Sequence, residues 1–203
     1  RSKKGNTISR FIDSLSQIEG AYALVALTNK KLIGVRDPLG IRPLVLGQLD
    51  GNYILTSETC ALDIIGAKFI REVENGEIVV ITDKTIESIK PFPHIQPRPC
   101  IFEYIYFSRP DSIVGGLSVY QCRKAFGKEL AKESFVQADM VIPVPDSGVP
   151  AAIGYAEQSE IPFETGIIRN HYVGRTFIEP QQSIRAFSVK LKHNANKILV
   201  DGK

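Results

Sequence analysis

The sequence predicts two different folds joined by a proline-rich segment. A mostly β, layered α+β region with flanking helices comes first, and an α/β region of alternating strand and helix follows. Three observations carry this reading. Short apolar runs separated by turn residues fill the first ninety positions. Prolines 91, 93, 97 and 99 interrupt the chain next; proline removes backbone donors and blocks both helix and sheet, so this stretch is an extended linker. Beyond it the run Met140–Ile153 and the run Phe163–Ile168 give a strand–helix–strand unit, whose connection should be right-handed.

The elements follow in order. Ile8, Phe11, Ile12, Leu15 and Ile18 recur at helical spacing and Gly20 closes the helix. The run Ala21–Thr28 is apolar on both faces, which predicts a strand covered on both sides. Lys30-Lys31 turns the chain into a strand at Leu32–Val35, and Asp37-Pro38-Leu39-Gly40 has β-turn chemistry. Further strands are expected at Leu44–Leu46 and Tyr53–Thr56. A short helix at Thr59–Ile65 would be capped by Thr59 and ended by Gly66. Asn75-Gly76 is a hairpin turn into Glu77–Ile81, against which Thr85–Ile89 pairs back. After the prolines, Tyr104 and Phe107 read as core residues beside an Arg109-Pro110-Asp111 turn. Ser118 with Gln121 is a capping-box signature, and Val119, Cys122, Phe126 and Leu130 form the apolar stripe of the next helix.

Composition narrows the function classes. The chain has 203 residues, 43% hydrophobic content and a formal net charge of only +3. No long basic run is present, so no nucleic-acid or membrane surface is inferred. No apolar run approaches a membrane span and no signal-peptide pattern opens the chain. Cys60, Cys100 and Cys122 are odd in number and far apart, which offers neither a disulfide framework nor a complete zinc site and fits a reducing, cytoplasmic compartment. His94, His171 and His193 are scattered and read as hydrogen-bonding side chains. A start at RSKKGN and a stop after Ile198–Val200 suggest a fragment.

Two segments carry chemistry. In MVIPVPDSGVPAAI, Val141, Ile142 and Val144 read as a buried strand, and Asp146, Ser147 and Gly148 lead into a helix with Pro150 in its first turn. Free N–H groups and the helix dipole at such a junction favour a phosphate or pyrophosphate, although an ordinary strand–helix connection would look the same. In NHYVGRTFIEP, Gly174 and Arg175 lie between Tyr172 and Phe177, as in a mobile lid that closes on an anion; an ordinary surface loop is the alternative.

Six motifs occur in order: GAYALVAL (Gly20–Leu27), RDPLGIRPLVLG (Arg36–Gly47), SETCALD (Ser57–Asp63), EYIYFSRPDS (Glu103–Ser112), VIPVPDSG and YVGRTFI (Tyr172–Ile178). The ordered set resembles the glutamine phosphoribosylpyrophosphate amidotransferases, from Gly20 to the chain end. The resemblance implies the C-terminal part of an α+β N-terminal-nucleophile glutaminase domain at residues 1–92, a linker at 93–99, and the N-terminal part of an α/β type I phosphoribosyltransferase domain at 100–203. It implies a parent enzyme that makes 5-phosphoribosylamine from glutamine and phosphoribosyl pyrophosphate, the committed step of de novo purine synthesis.

The same resemblance assigns Asp146, Ser147 and Gly148 to the pyrophosphate loop, with Ser147 at the Mg²⁺ site. It assigns Tyr172, Gly174, Arg175 and Thr176 to the flexible lid. His171 stands where many members carry Arg. Cys100 matches a 4Fe–4S cluster ligand of one branch, while cluster-free members also carry Cys there and a structural thiol is the alternative. Purine nucleotide inhibitors and a homotetramer are further implications. The catalytic Cys would precede residue 1 and the acidic phosphoribosyl-binding loop would follow Lys203, so the segment alone should be inactive. Two alternatives remain: a hexosephosphate aminotransferase, whose glutaminase half also carries a GAY-type strand, and a non-catalytic nucleotide-binding module.

Overall fold

The computed structural model describes residues 5–174 and 181–203. They fall into two compact units, divided between Val119 and Tyr120. Residues 100–119 therefore pack with the first unit. The prolines mark a change of pattern, but the end of the proline segment and the residue after it stay hydrogen-bonded to what precedes them: Arg98 N–H donates to Leu39 O at 2.8 Å and Cys100 N–H to Ile41 O at 3.1 Å.

In the first unit, helix α1 (Thr7–Leu15) starts at Asn6, whose Oδ1 accepts the Ser9 N–H at 2.8 Å. It stops at Leu15, so Ile18, expected within the helix, falls outside it and is half exposed. Strands β1 (Ala23–Leu27), β2 (Leu32–Arg36), β3 (Val45–Leu49) and β4 (Asn52–Thr56) follow. Then come helix α2 (Thr59–Ile64) and strands β5 (Lys68–Glu72), β6 (Ile78–Ile81) and β7 (Ile86–Ile89). Two antiparallel sheets result, of order β1-β2-β6-β7 and β4-β3-β5.

The period of two along each strand sorts these residues into layers. Ile33, Val35, Ile78 and Val80 pack with Leu15, Phe11 and Ile12, which places α1 on one face of the first sheet. Val79, Ile81 and Leu32 pack with Leu44, Leu46, Tyr53 and Leu55, which fills the space between the sheets. Leu62 of α2 reaches Gly47 of β3 so closely that a Cβ there would lie 2.5 Å from its methyl group. The order is helix, sheet, sheet, helix. Each fully buried aliphatic side chain adds roughly 1.5–3 kcal/mol to this arrangement.

Several expectations change. Among the described residues strand β1 lies at the edge of its sheet rather than being covered: Leu24, Val25 and Leu27 are exposed, Leu27 at 80%. Alternation cannot assign a face to a run that is apolar at every position. The Asn75-Gly76 turn does not close a hairpin; it carries the chain from β5 in one sheet to β6 in the other. Strand β5, KFIRE, had no apolar run to announce it.

After the prolines a π-helical turn spans Glu103–Phe107. Its aromatics reverse the core expectation: Phe107 is exposed, Tyr104 only half-buried, and Glu103 is the buried member at 2%. Short strands β8 (Ile113–Val114) and β9 (Leu117–Ser118) pair before helix α3 (Val119–Glu133).

The second unit contains α3 from Tyr120 onward, helix α4 (Val149–Ser159), strand β10 (Ile167–Arg169), helix α5 (Gln182–Lys192), strand β11 (His193–Ala195) and the single turn α6 (Lys197–Val200). The inward side of α3 runs Val119, Arg123, Gly127, Ala131, while Phe126 and Leu130 are exposed. The expected stripe is thus displaced, because glycine rather than a large side chain sets the contact. A Cβ on Gly127 would lie 1.8 Å from Ala151 O, and one on Gly154 1.9 Å from Lys124 O, so α3 and α4 cross backbone to backbone. Glu157 of α4 pairs with Lys124 and Lys128 of α3 at 2.5 and 3.0 Å beside this crossing.

The expected strand over Val141–Val144 shrinks to one parallel bridge, Val141 to Phe163. Pro143 and Pro145 supply no donors, so a ladder cannot propagate. Val144 is 66% exposed rather than buried. Strand β10 begins four residues later than Phe163 and pairs antiparallel with β11.

Candidate functional site

The junction ahead of α4 is a tight turn. The Pro145–Asp146 peptide is cis. Gly148 N–H donates to Val144 O at 3.1 Å, and Val149 N–H to Asp146 O at 3.2 Å. The Gly148 amide is therefore used within the turn. Among the described residues, the Asp146 and Ser147 N–H groups donate to no backbone acceptor, so these two could receive an anion. Gly148 itself has an ordinary φ of −79°. It is needed for space: a Cβ there would lie 2.8 Å from Val144 O. No side chain caps α4, and Pro150 occupies its first turn, where a missing N–H costs nothing.

Asp146 is ion-paired with Nη1 of Arg169, the last residue of β10. Arg169 was not singled out from the sequence; its place at the end of an apolar run entering the lid motif was the available signal. Its Nε is buried without a partner among the described residues, as is Nε2 of His193, its register partner on β11. Ser147 is exposed. One carboxylate with an oxygen on Arg169 and one exposed hydroxyl make a sparse oxygen set. Such a set suits a Mg²⁺ held largely by water and by the phosphates of a substrate.

The segment expected to form a lid starts immediately after β10. Asn170 Oδ1 accepts the Tyr172 N–H at 3.0 Å and Asn170 O accepts the Val173 N–H at 3.3 Å, forming a turn stabilised by the Asn side chain. Tyr172 is fully exposed, and a Cβ on Gly174 would meet nothing within 4 Å. Arg175 and Thr176 lie outside the described residues. A cavity of about 650 Å³ in this unit is lined by Ile168, Arg169, Asn170, Leu191, Asn194 and Lys197, among others.

In the first unit the motif residues build a charged scaffold. Asp37 is fully buried and its carboxylate accepts Leu39 N–H at 3.0 Å and Ile41 N–H at 3.2 Å. Arg36 donates to Arg42 O, Val73 O and Gly40 O, and pairs with Glu72 at 3.2 Å. Arg42 Nε lies 2.8 Å from Glu103 Oε1, near enough for an ion pair though not aligned as a hydrogen bond. Its guanidinium also sits 4.6 Å over the Phe107 ring. Glu103 Oε2 accepts the Ser108 hydroxyl at 2.6 Å. An acid inside an apolar run, as in CIFEYIYF, is the sequence sign of such a pair. Thr59 does not cap α2, as expected of it; its hydroxyl accepts the Ile113 N–H at 2.8 Å instead.

Cys100 is half-buried and free, and among the described residues no group of three His, Cys, Asp or Glu side chains could hold a metal ion. Nor is any described helix long and apolar enough to cross a membrane.

A sequence model described as a glutamine amidotransferase domain matches residues 6–63. The amidophosphoribosyltransferase of Rhizobium etli is 61% identical over 208 residues, covering 100% of this chain and 42% of that protein. A chloroplastic amidophosphoribosyltransferase of Glycine max is 52% identical over 203 residues, covering 100% of this chain and 36% of that protein. A solved glutamine phosphoribosylpyrophosphate amidotransferase from B. subtilis, complexed with ADP and GMP, superposes with a TM-score of 0.91 at 46% identity, covering 100% of this chain and 44% of that one. The chain spans less than half the length of each. Over the whole of that span, from α1 through both units, it belongs to the amidophosphoribosyltransferase family.

Proposed function

We propose that this protein is an amidophosphoribosyltransferase, which releases ammonia from glutamine and adds it to phosphoribosyl pyrophosphate to give 5-phosphoribosylamine in de novo purine synthesis. One observation carries the reading: 61% identity extends across all of the chain, well past the amidotransferase match at residues 6–63 and through the second unit. A hexosephosphate aminotransferase would share only the first part.

In this reading residues 1–92 belong to the glutaminase domain, 93–99 link, and 100–203 open the type I phosphoribosyltransferase domain. Asp146 and Ser147 N–H groups and the start of α4 receive the pyrophosphate, where backbone donors and the helix dipole offset its charge. Ser147 and Asp146 would hold a Mg²⁺, largely through water, and the ion would offset the charge of the substrate's phosphates. Tyr172, Gly174, Arg175 and Thr176 form the lid, which excludes water that would otherwise compete with ammonia. Cys100 is available to a 4Fe–4S cluster whose other ligands would come from elsewhere. Purine nucleotides act as inhibitors and the assembly is a homotetramer. The free cysteines favour a reducing compartment such as cytoplasm, although the Glycine max relative and others are chloroplastic.

The test is an assay of the complete protein with glutamine, phosphoribosyl pyrophosphate and Mg²⁺. Formation of phosphoribosylamine together with glutamate is expected. Glutamate release with no phosphoribosyl product under any nitrogen source would overturn the reading.

A further inference from the structure

Glu58 occupies the N-cap position of α2, where a side chain ordinarily accepts an N–H of its own helix. It does not. Its Oε2 accepts the backbone N–H of Arg109 at 2.7 Å and the hydroxyl of Ser112 at 2.8 Å, 51 and 54 residues away. Thr59, its neighbour, is diverted in the same direction, accepting the Ile113 N–H at 2.8 Å. Glu72 of β5 accepts the Gly115 N–H at 2.6 Å. The Tyr104 hydroxyl donates to Val114 O at 2.9 Å. Four side chains thus fasten the strap 109–115, whose N–H groups water could otherwise satisfy at this surface. The strap then hands over directly to α3: Val119 N–H, at the head of that helix, donates to Ser112 O at 3.0 Å. Glu58 lies inside the stretch matched by the amidotransferase domain, and the strap lies outside it.

We infer that Glu58 is a positioning residue that couples the two half-reactions, by fixing to the amidotransferase domain the strap from which the second unit is launched. The inference rests on the amidophosphoribosyltransferase reading. Loss of the carboxylate removes the bonds to Arg109 N–H and the Ser112 hydroxyl and loosens the strap at that end, so ammonia made from glutamine is no longer delivered efficiently, while each half-reaction keeps its own machinery.

The experiment uses the complete enzyme as wild type, Glu58→Ala, Glu58→Gln and Ser112→Ala. Three rates are measured: glutamine hydrolysis, phosphoribosylamine formation from ammonium salt, and phosphoribosylamine formed per glutamine hydrolysed. Glu58→Ala should keep the first two within about twofold and lower the third roughly tenfold, the loss expected for a charge-assisted acceptor serving two donors. Glu58→Gln retains an acceptor oxygen and should restore most of the ratio. Ser112→Ala removes one donor, leaves Glu58 in place, and should lower the ratio a few-fold even if Glu58→Ala does not fold. An unchanged ratio in folded Glu58→Ala or in Ser112→Ala, or a parallel fall of both half-reactions, would overturn the inference. A wild-type enzyme that makes no phosphoribosylamine from either nitrogen source would instead overturn the reading beneath it.

Discussion

A methyl group at Gly148 would stand 2.8 Å from the Val144 carbonyl oxygen, although the backbone angle there suits any residue. The turn must then open at Asp146 and Ser147, the two positions whose N–H groups are proposed to meet pyrophosphate. Gly148→Ala should raise KM for phosphoribosyl pyrophosphate by roughly tenfold, for about one lost or misaligned charge-assisted hydrogen bond, while glutamine hydrolysis is unchanged; steady-state kinetics of the two reactions checks this. Glu77 makes a second residue-scale case. Burial alone would push its carboxyl up, but Arg71 at 2.7 Å, the Ser88 hydroxyl at 2.6 Å and the Glu74 N–H at 2.7 Å hold it below the usual carboxylate range. A depressed folded-state pKa gives stability that is complete above the unfolded value, about 4.3 for Glu, and is lost as pH falls through the folded value. Denaturant unfolding should therefore show stability falling below about pH 4, and Glu77→Gln should flatten that limb and lower stability at pH 7. An unaltered acid limb in Glu77→Gln would assign the loss to other carboxylates.

At the scale of elements, two effects compete where α3 crosses α4. Ala is the better helix former by about 1 kcal/mol, yet a Cβ on Gly127 would overlap Ala151 O at 1.8 Å. Sterics wins, because that distance is far inside van der Waals contact and the obstacle is backbone, which cannot rotate away. Gly127→Ala should lower the melting temperature of the second unit, while the same change at Gly116, where a Cβ meets nothing within 4 Å but φ is +77°, costs only its backbone strain. Calorimetry on both variants compares them. The same crossing shows why part of the fold escaped sequence reasoning. The Asp37–Gly40 turn was legible because turn chemistry is local; the pairing of β6 with β7 was legible from their apolar runs, while the hairpin turn was misplaced at Asn75-Gly76. The buried side of α3 was not legible, because Gly127 and Arg123 carry no apolar signal and the contact depends on Ala151 of α4, a separate helix further along the chain. The β-branched run Val141–Val144 signals a strand, yet Pro143 and Pro145 within and beside it limit the pairing to a single bridge.

Across the whole molecule, the motifs were legible as an ordered set, while their physical partners were not. Asp146 and Ser147 could be found from a strand-to-helix pattern; that Arg169 faces Asp146 required the fold. Glu58, unremarked within the SETCALD motif, serves a strap 51 to 54 residues further along the chain. Burial of charge explains this gap: a carboxylate placed by tertiary structure leaves only a faint mark on its neighbours in the chain. Edge strand β1 carries a different consequence. Its outer backbone groups and the exposed side chains of Val25 and Leu27 form a template for another strand. Concentrated solutions of residues 1–203 should therefore grow in particle size with time, seeded at this rim. Val25→Lys, which adds a charge without disturbing the buried layers, should slow that growth in light scattering while the melting temperature stays put. The ledge that makes the sheet look unfinished thus sets its shelf life in the test tube.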